Sequence, residues 1–160
     1  MSTTDYSSKP RAVETGKVIP GRIGWAGLLG VAASVAANLI VRVILFALVT
    51  LPAEFPPLQP PAIAVFTFFG TILAVMVFAV VVRLSRTPIR TFRFIAVIAL
   101  VVSLLPNFFL MANPSAAPFP GGSALAFGVL CLFHGIAAFV CVTILTTLSK
   151  KKITQNEVLR

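Results

Sequence analysis

Arg83-Leu84-Ser85-Arg86-Thr87-Pro88-Ile89-Arg90-Thr91-Phe92-Arg93 carries four arginines in eleven residues. On either side lie apolar runs without a charge, about 62–82 before it and 94–112 after it. Thr87 before Pro88 reads as an N-cap followed by proline at the first helical position, where its missing N–H costs nothing. An apolar run of about 20 residues is long enough to cross a bilayer as a helix. Run, basic break and run therefore predict two membrane helices joined by a charged turn.

The pattern repeats outward. Upstream, Leu51-Pro52-Ala53-Glu54-Phe55-Pro56-Pro57-Leu58-Gln59-Pro60-Pro61 holds five prolines in eleven residues. Proline fixes φ and removes backbone donors, so no helix is expected to cross this stretch. A first apolar run, about 23–51, precedes it. That run is too long for the apolar region of a signal peptide and has no small-residue cleavage site, so it is expected to remain as a helix. Downstream, residues 107–123 carry no charge and are rich in proline and glycine, which ends the third helix. Pro106, near that helix's outer end, is expected to kink or unwind it. A last run, about 124–148, stops at Lys150-Lys151-Lys152. The predicted fold is all-α: a transmembrane four-helix up-down-up-down bundle with helices at about 23–50, 62–82, 88–110 and 124–148. It forms one domain, 20–149, between a flexible tail, 1–19, and a basic tail, 150–160.

Composition agrees. The chain has 160 residues, 58% apolar and 11% charged, with a mean hydropathy of +1.02. Soluble domains average about 45–50% apolar and about 25% charged. Four acids and thirteen bases cannot cover a water-soluble surface. A soluble globular domain, a disordered chain and a nucleic-acid-binding domain are excluded. The net charge of +9 is a matter of placement, since twelve of the thirteen bases fall in the N-terminal segment, the 83–93 link and the C-terminal segment. An even number of helices brings those three to one side, and the positive-inside rule makes that side cytoplasmic, with both termini. Arg83, Arg86, Arg90, Arg93, Lys150, Lys151 and Lys152 are the candidate contacts to anionic headgroups.

Polar residues within the runs are the site candidates. At 1.5 Å per residue, Asn38 and His134 fall at one depth, about 3 Å outside the midplane, with Thr71 and Ser103 within roughly a turn of it. Arg42, Thr67 and Asn107 lie further out. Asn38, Arg42, Thr71, Ser103, Asn107 and His134 thus outline a polar intramembrane pocket. Ala26, Gly30, Ser34, Asn38 and Arg42 recur at i+4 and form one stripe, which small residues fit for close helix packing. Cys131, His134, Ala138 and Cys141 make a comparable stripe, expected to face inward. Arg42 either pairs with Glu54, the only acid of the outer half, or snorkels to the headgroups. His134 reads as a neutral imidazole bonded to Asn38, Ser103 or a carbonyl, or as a proton- or ligand-handling group. A direct or water-bridged Asn38–His134 bond is expected, which makes the first and fourth helices neighbours.

Other chemistry is thin. Cys131 and Cys141, ten residues apart on one helix, are separated by about 15 Å of rise and cannot form a disulfide. Cys131 and His134 supply two ligands where zinc needs three or four. No metal, cofactor or enzymatic role is expected. Phe55, Phe108, Phe109 and Phe119 in the apolar outer links are candidate interface anchors.

Asn38, the Arg86-Thr87-Pro88-Ile89-Arg90-Thr91-Phe92-Arg93 link, Ser103 with Pro106 three residues on, and His134 together resemble a family of uncharacterised bacterial four-helix integral membrane proteins, a domain of unknown function. The resemblance covers about 22–148. It implies a multi-pass protein of the bacterial cytoplasmic membrane, and no reaction. Arg42 lies outside the family pattern. Two functional classes follow. One is a non-catalytic accessory or scaffold subunit in a larger membrane complex or homo-oligomer. The other is a small-molecule or lipid-binding, transporter-like protein using the polar pocket.

Overall fold

The computed structural model describes residues 18–150. The predicted tails therefore lie almost wholly outside the described residues, Lys151 and Lys152 among them. Four helices account for most of what is described: α1 Ile23–Leu48, α2 Pro60–Leu84, α3 Pro88–Ala112 and α4 Ala124–Leu148. Short 3-10 turns occupy Pro20–Arg22, Pro56–Leu58 and Pro114–Ala116. No strand occurs among the described residues. All four helices are long and apolar enough to cross a membrane, and the described fold is all-α.

The punctuation is local. Pro60 and Pro61 do not lie in the link but form the first turn of α2, where a helix has no use for their missing donors. Thr87 stands at the N-cap of α3 but makes no side-chain cap bond. Ser85 does that work: its Oγ accepts from the Thr87 N–H at 3.2 Å and shares a hydrogen bond with Thr91 Oγ1 at 2.9 Å. Ser123 caps α4 by accepting from the Ala126 N–H. α3 continues as a helix through Pro106 to Ala112, so it does not end at the proline.

α1 carries the central packing. A Cβ on Gly30 would come 3.8 Å from Cys141 Sγ. Ser34 Oγ donates to Ala137 O and, at 2.7 Å, to Gly30 O. Asn38 reaches Phe133 O. Residues 30, 34 and 38 thus meet 141, 137 and 133 in reverse order, so α1 and α4 run antiparallel. Gly27 lets α1 approach α2, since a Cβ there would fall 2.7 Å from Val75 Cγ1. α3 stands apart, burying only Phe92 and leaning on α4. It meets α2 beside the basic turn, where Phe78 and Phe92 rings pack at 4.7 Å.

The two ends of the bundle are sealed differently. At one, the Ile19 N–H donates to Ser149 O at 2.9 Å, bringing the ends of the described chain together above Ile23, Phe78, Phe92 and Leu145. At the other, the proline-rich link folds inward: Phe55 and Leu58 are fully buried with Ile63, Phe127 and Phe133, and Phe55 meets Phe127 edge-on at 5.3 Å. Gly121 stands at φ +78°, and a Cβ on it would come 3.5 Å from Pro52 Cβ, so the 113–123 link packs against the proline-rich one. Phe55 is therefore a core residue, not an interface anchor, whereas Phe108, Phe109 and Phe119 are exposed. The outward surface is apolar, with Trp25, Phe66, Phe69, Phe94 and Phe139 all exposed. Lipid, not water, solvates such a surface.

Candidate polar cleft between α2, α3 and α4

Because α3 touches α2 mainly beside the basic turn, the two helices leave a one-sided cleft of about 760 Å³. Its walls are apolar, and small residues make up part of them: Ala62, Gly70 and Ala74 on α2, Ala96 and Ala99 on α3, Ala137 and Ala138 on α4. Toward the basic turn α2 and α3 meet through Phe78 and Phe92. Pro57, Pro118 and Phe119 stand at the other end.

The cleft gathers Asn38, Thr71, Ser103, Asn107 and His134. Thr67 joins them. Arg42 does not line it. Asn38, 1% exposed, is the deepest. Its Nδ2 donates to Thr67 Oγ1 at 3.0 Å and to Phe133 O at 3.3 Å. A carbonyl only accepts, so Nδ2 must face Phe133 and Oδ1 the other way. That Oδ1 is buried and has no partner among the described residues. Thr71 Oγ1 donates to Thr67 O at 2.7 Å, and Ser103 Oγ to Leu100 O at 2.8 Å.

Of the partners expected for His134, the structure shows the backbone carbonyl and no direct bond to Asn38. The imidazole Nδ1 bonds Leu130 O on its own helix at 2.8 Å, and Asn38 bonds Thr67 and Phe133 O instead of the imidazole. The α4 face against α1 is Phe133, Ala137 and Cys141. His134 and Ala138, one position round, line the cleft. Cys141 is buried and Cys131 half-buried, so the expected inward stripe divides between two faces.

The sequence profile of a family of unknown function (DUF6069) matches residues 18–151. The chain belongs to that family. No curated protein and no solved structure matches it. Asn38, the 86–93 link, Ser103 and His134 all fall within the DUF6069 match.

Arg42 acts at the proline-rich end of the bundle in this DUF6069 chain. Its Nε donates to Leu58 O at 2.7 Å, and its guanidinium lies 4.2 Å from the Phe46 ring centroid. It binds the proline-rich link by a carbonyl, not through Glu54. No regularity of side-chain spacing announces a backbone acceptor. Among the basic candidates, Arg83, Arg86, Arg90 and Arg93 are exposed and Lys150 half-buried. Arg93 Nη2 reaches Thr146 Oγ1 at 3.5 Å.

Proposed function

We propose that this is a non-catalytic membrane protein that binds the chain of a lipid or other membrane-dissolved amphiphile in the α2–α3–α4 cleft. The observation that carries the reading is an apolar cleft of about 760 Å³ whose wall carries only a few polar side chains, Asn38, Thr67, Thr71, Ser103, Asn107 and His134. Small-ligand sites run about 300–1,000 Å³, mostly apolar with a few placed polar groups.

The membrane is that of a bacterial cytoplasm, on the family resemblance, and both termini face inward with the basic turn. The charge clusters support this orientation. Arg83, Arg86, Arg90, Arg93 and the Lys150–Lys152 segment then meet anionic headgroups.

The accessory-subunit reading keeps one observation in its favour. Gly70, Ala74, Ala96 and Ala99 line the cleft, and small residues also suit a partner's helix. Gentle extraction of the full chain followed by native mass measurement separates the two. A monomer or homo-oligomer carrying a small apolar molecule supports the ligand-binding reading. A stable hetero-complex with an empty cleft contradicts it.

A further inference from the structure

A second groove runs along the other side of the α3–α4 contact. Ala96 and Leu100 on α3 and Ala138 and Val142 on α4 line both it and the cleft, so they mark the seam between the two. The groove holds about 430 Å³. At one end stand Arg93, in the second turn of α3, and Thr146, in the last turn of α4. At the other end stands Gly135, at the middle of α4. Nothing lies within 4 Å of where its Cβ would be, which leaves that end open. Val97 and Phe139 make the walls between apolar. Gly135 and Thr146 are eleven residues apart, about 16 Å of helix. The hydrocarbon core of a bilayer is about 30 Å thick. The groove therefore has the length of one leaflet, from the level of the basic turn to the bilayer middle.

The charged end is organised. Thr146 is fully buried and its Oγ1 donates to Val142 O at 2.8 Å. A lone pair of that oxygen accepts from Arg93 Nη2 at 3.5 Å, which tethers the guanidinium at the groove mouth and leaves it N–H donors to spare. Arg90, one turn earlier on the same face, is exposed. Among the described residues the one acid, Glu54, lies in the proline-rich link at the opposite end of the bundle. We infer that the groove holds an anionic phospholipid of the leaflet beside the basic turn, with its phosphate on Arg93 and one acyl chain along the α3–α4 seam. A guanidinium suits a phosphate by charge and by its paired N–H donors. A zwitterionic lipid offers the same phosphate but sets an ammonium beside Arg90 and Arg93. Free phosphate leaves the apolar length unfilled. The inference replaces a diffuse attraction of arginines to headgroups with one site, and it is independent of what the α2–α3–α4 cleft holds.

The test uses the full-length chain in phosphatidylcholine nanodiscs carrying a small share of phosphatidylglycerol with a diazirine near the end of one acyl chain. A phosphatidylcholine probe with the same chains is run beside it, and crosslinked positions are mapped. The expected result is labelling around Val97 and Gly135–Phe139, about tenfold stronger with the anionic probe, the worth of one hydrogen bond to a charged group. Inorganic phosphate at constant ionic strength should leave the labelling unchanged, and its loss would assign the site to free phosphate instead. Arg93→Ala should bring the two probes together. Arg86→Ala removes the same charge from outside the groove and should keep most of the difference. Gly135→Leu should abolish the groove labelling with every charge in place. Equal effects of Arg93→Ala and Arg86→Ala would show diffuse attraction and overturn the site. Equal labelling of the wild type by both probes, or crosslinks spread evenly around all four helices, overturns it whether or not the variants fold.

Discussion

Asn38 on α1 holds Thr67 on α2 through a 3.0 Å hydrogen bond in the membrane interior, while the same amide nitrogen reaches Phe133 O on α4. One side chain therefore ties three helices, and α3 is the helix left out of the tie. Polar contacts of this kind in membrane bundles average about 0.6 kcal/mol, with a maximum of about 1.7. A double-mutant cycle with Asn38→Ala and Thr67→Val, read by reversible unfolding in mixed micelles, should return a coupling within that range. Additive costs would show that the two residues act separately.

Gly27 and Gly30 should respond differently to the same change. A Cβ at 27 meets Val75 Cγ1 at 2.7 Å, whereas at 30 the nearest atoms lie at 3.8 Å. Val75 is β-branched and stiff at χ1, so the helices must separate to admit the methyl. Gly27→Ala should cost about 1–3 kcal/mol, as overpacking does. Gly30→Ala should be near neutral. Thermal midpoints of the two variants in one detergent check this.

Arg42→Leu removes the bond to Leu58 O and the contact with Phe46. Hydrogen exchange of the 51–59 link should rise while α3 and α4 keep their protection. Glu54→Gln should leave the link unchanged, because Arg42 does not use that carboxylate. An equal loosening by both variants would restore the ion pair.

Orientation is open to cysteine labelling in a Cys131→Ala, Cys141→Ala background. Ser149 is fully buried and is a poor reporter. Arg86 and Ser115 are exposed on opposite links. Ser115→Cys should react with an impermeant reagent in intact cells, and Arg86→Cys only after lysis. The reverse pattern would invert the proposed topology.

Much of this architecture was legible in the residues, and the misses share a cause. Charge breaks and prolines marked four helices, with ends within a few residues. The α1 stripe from Ala26 to Asn38 was readable because small residues are how helices pack when lipid is as apolar as leucine. α4 was different. A helix that is apolar all round gives no hydrophobic face, so its few polar residues are the only marks of an inward side. The real contact is Phe133, Ala137 and Cys141, and a shift of one residue turns a side chain by about 100°. Phe55 looked like an anchor because its link is proline-rich, yet that link folds under the bundle. Thr67 is invisible as a partner of Asn38 until α1 and α2 are placed in register.

The central claim is that the α2–α3–α4 cleft holds an amphiphile, and Gly70 offers the most direct way to test it. Gly70 lines the cleft, and nothing lies within 4 Å of where its Cβ would be. Gly70→Leu therefore fills the cleft without disturbing the packed faces of α2. The measurement is native mass of wild type and Gly70→Leu, extracted side by side from the same membranes. The account predicts a small apolar adduct on the wild type that is lost from Gly70→Leu, with unchanged oligomeric state and thermal midpoint. The same adduct at the same occupancy on both proteins would contradict it.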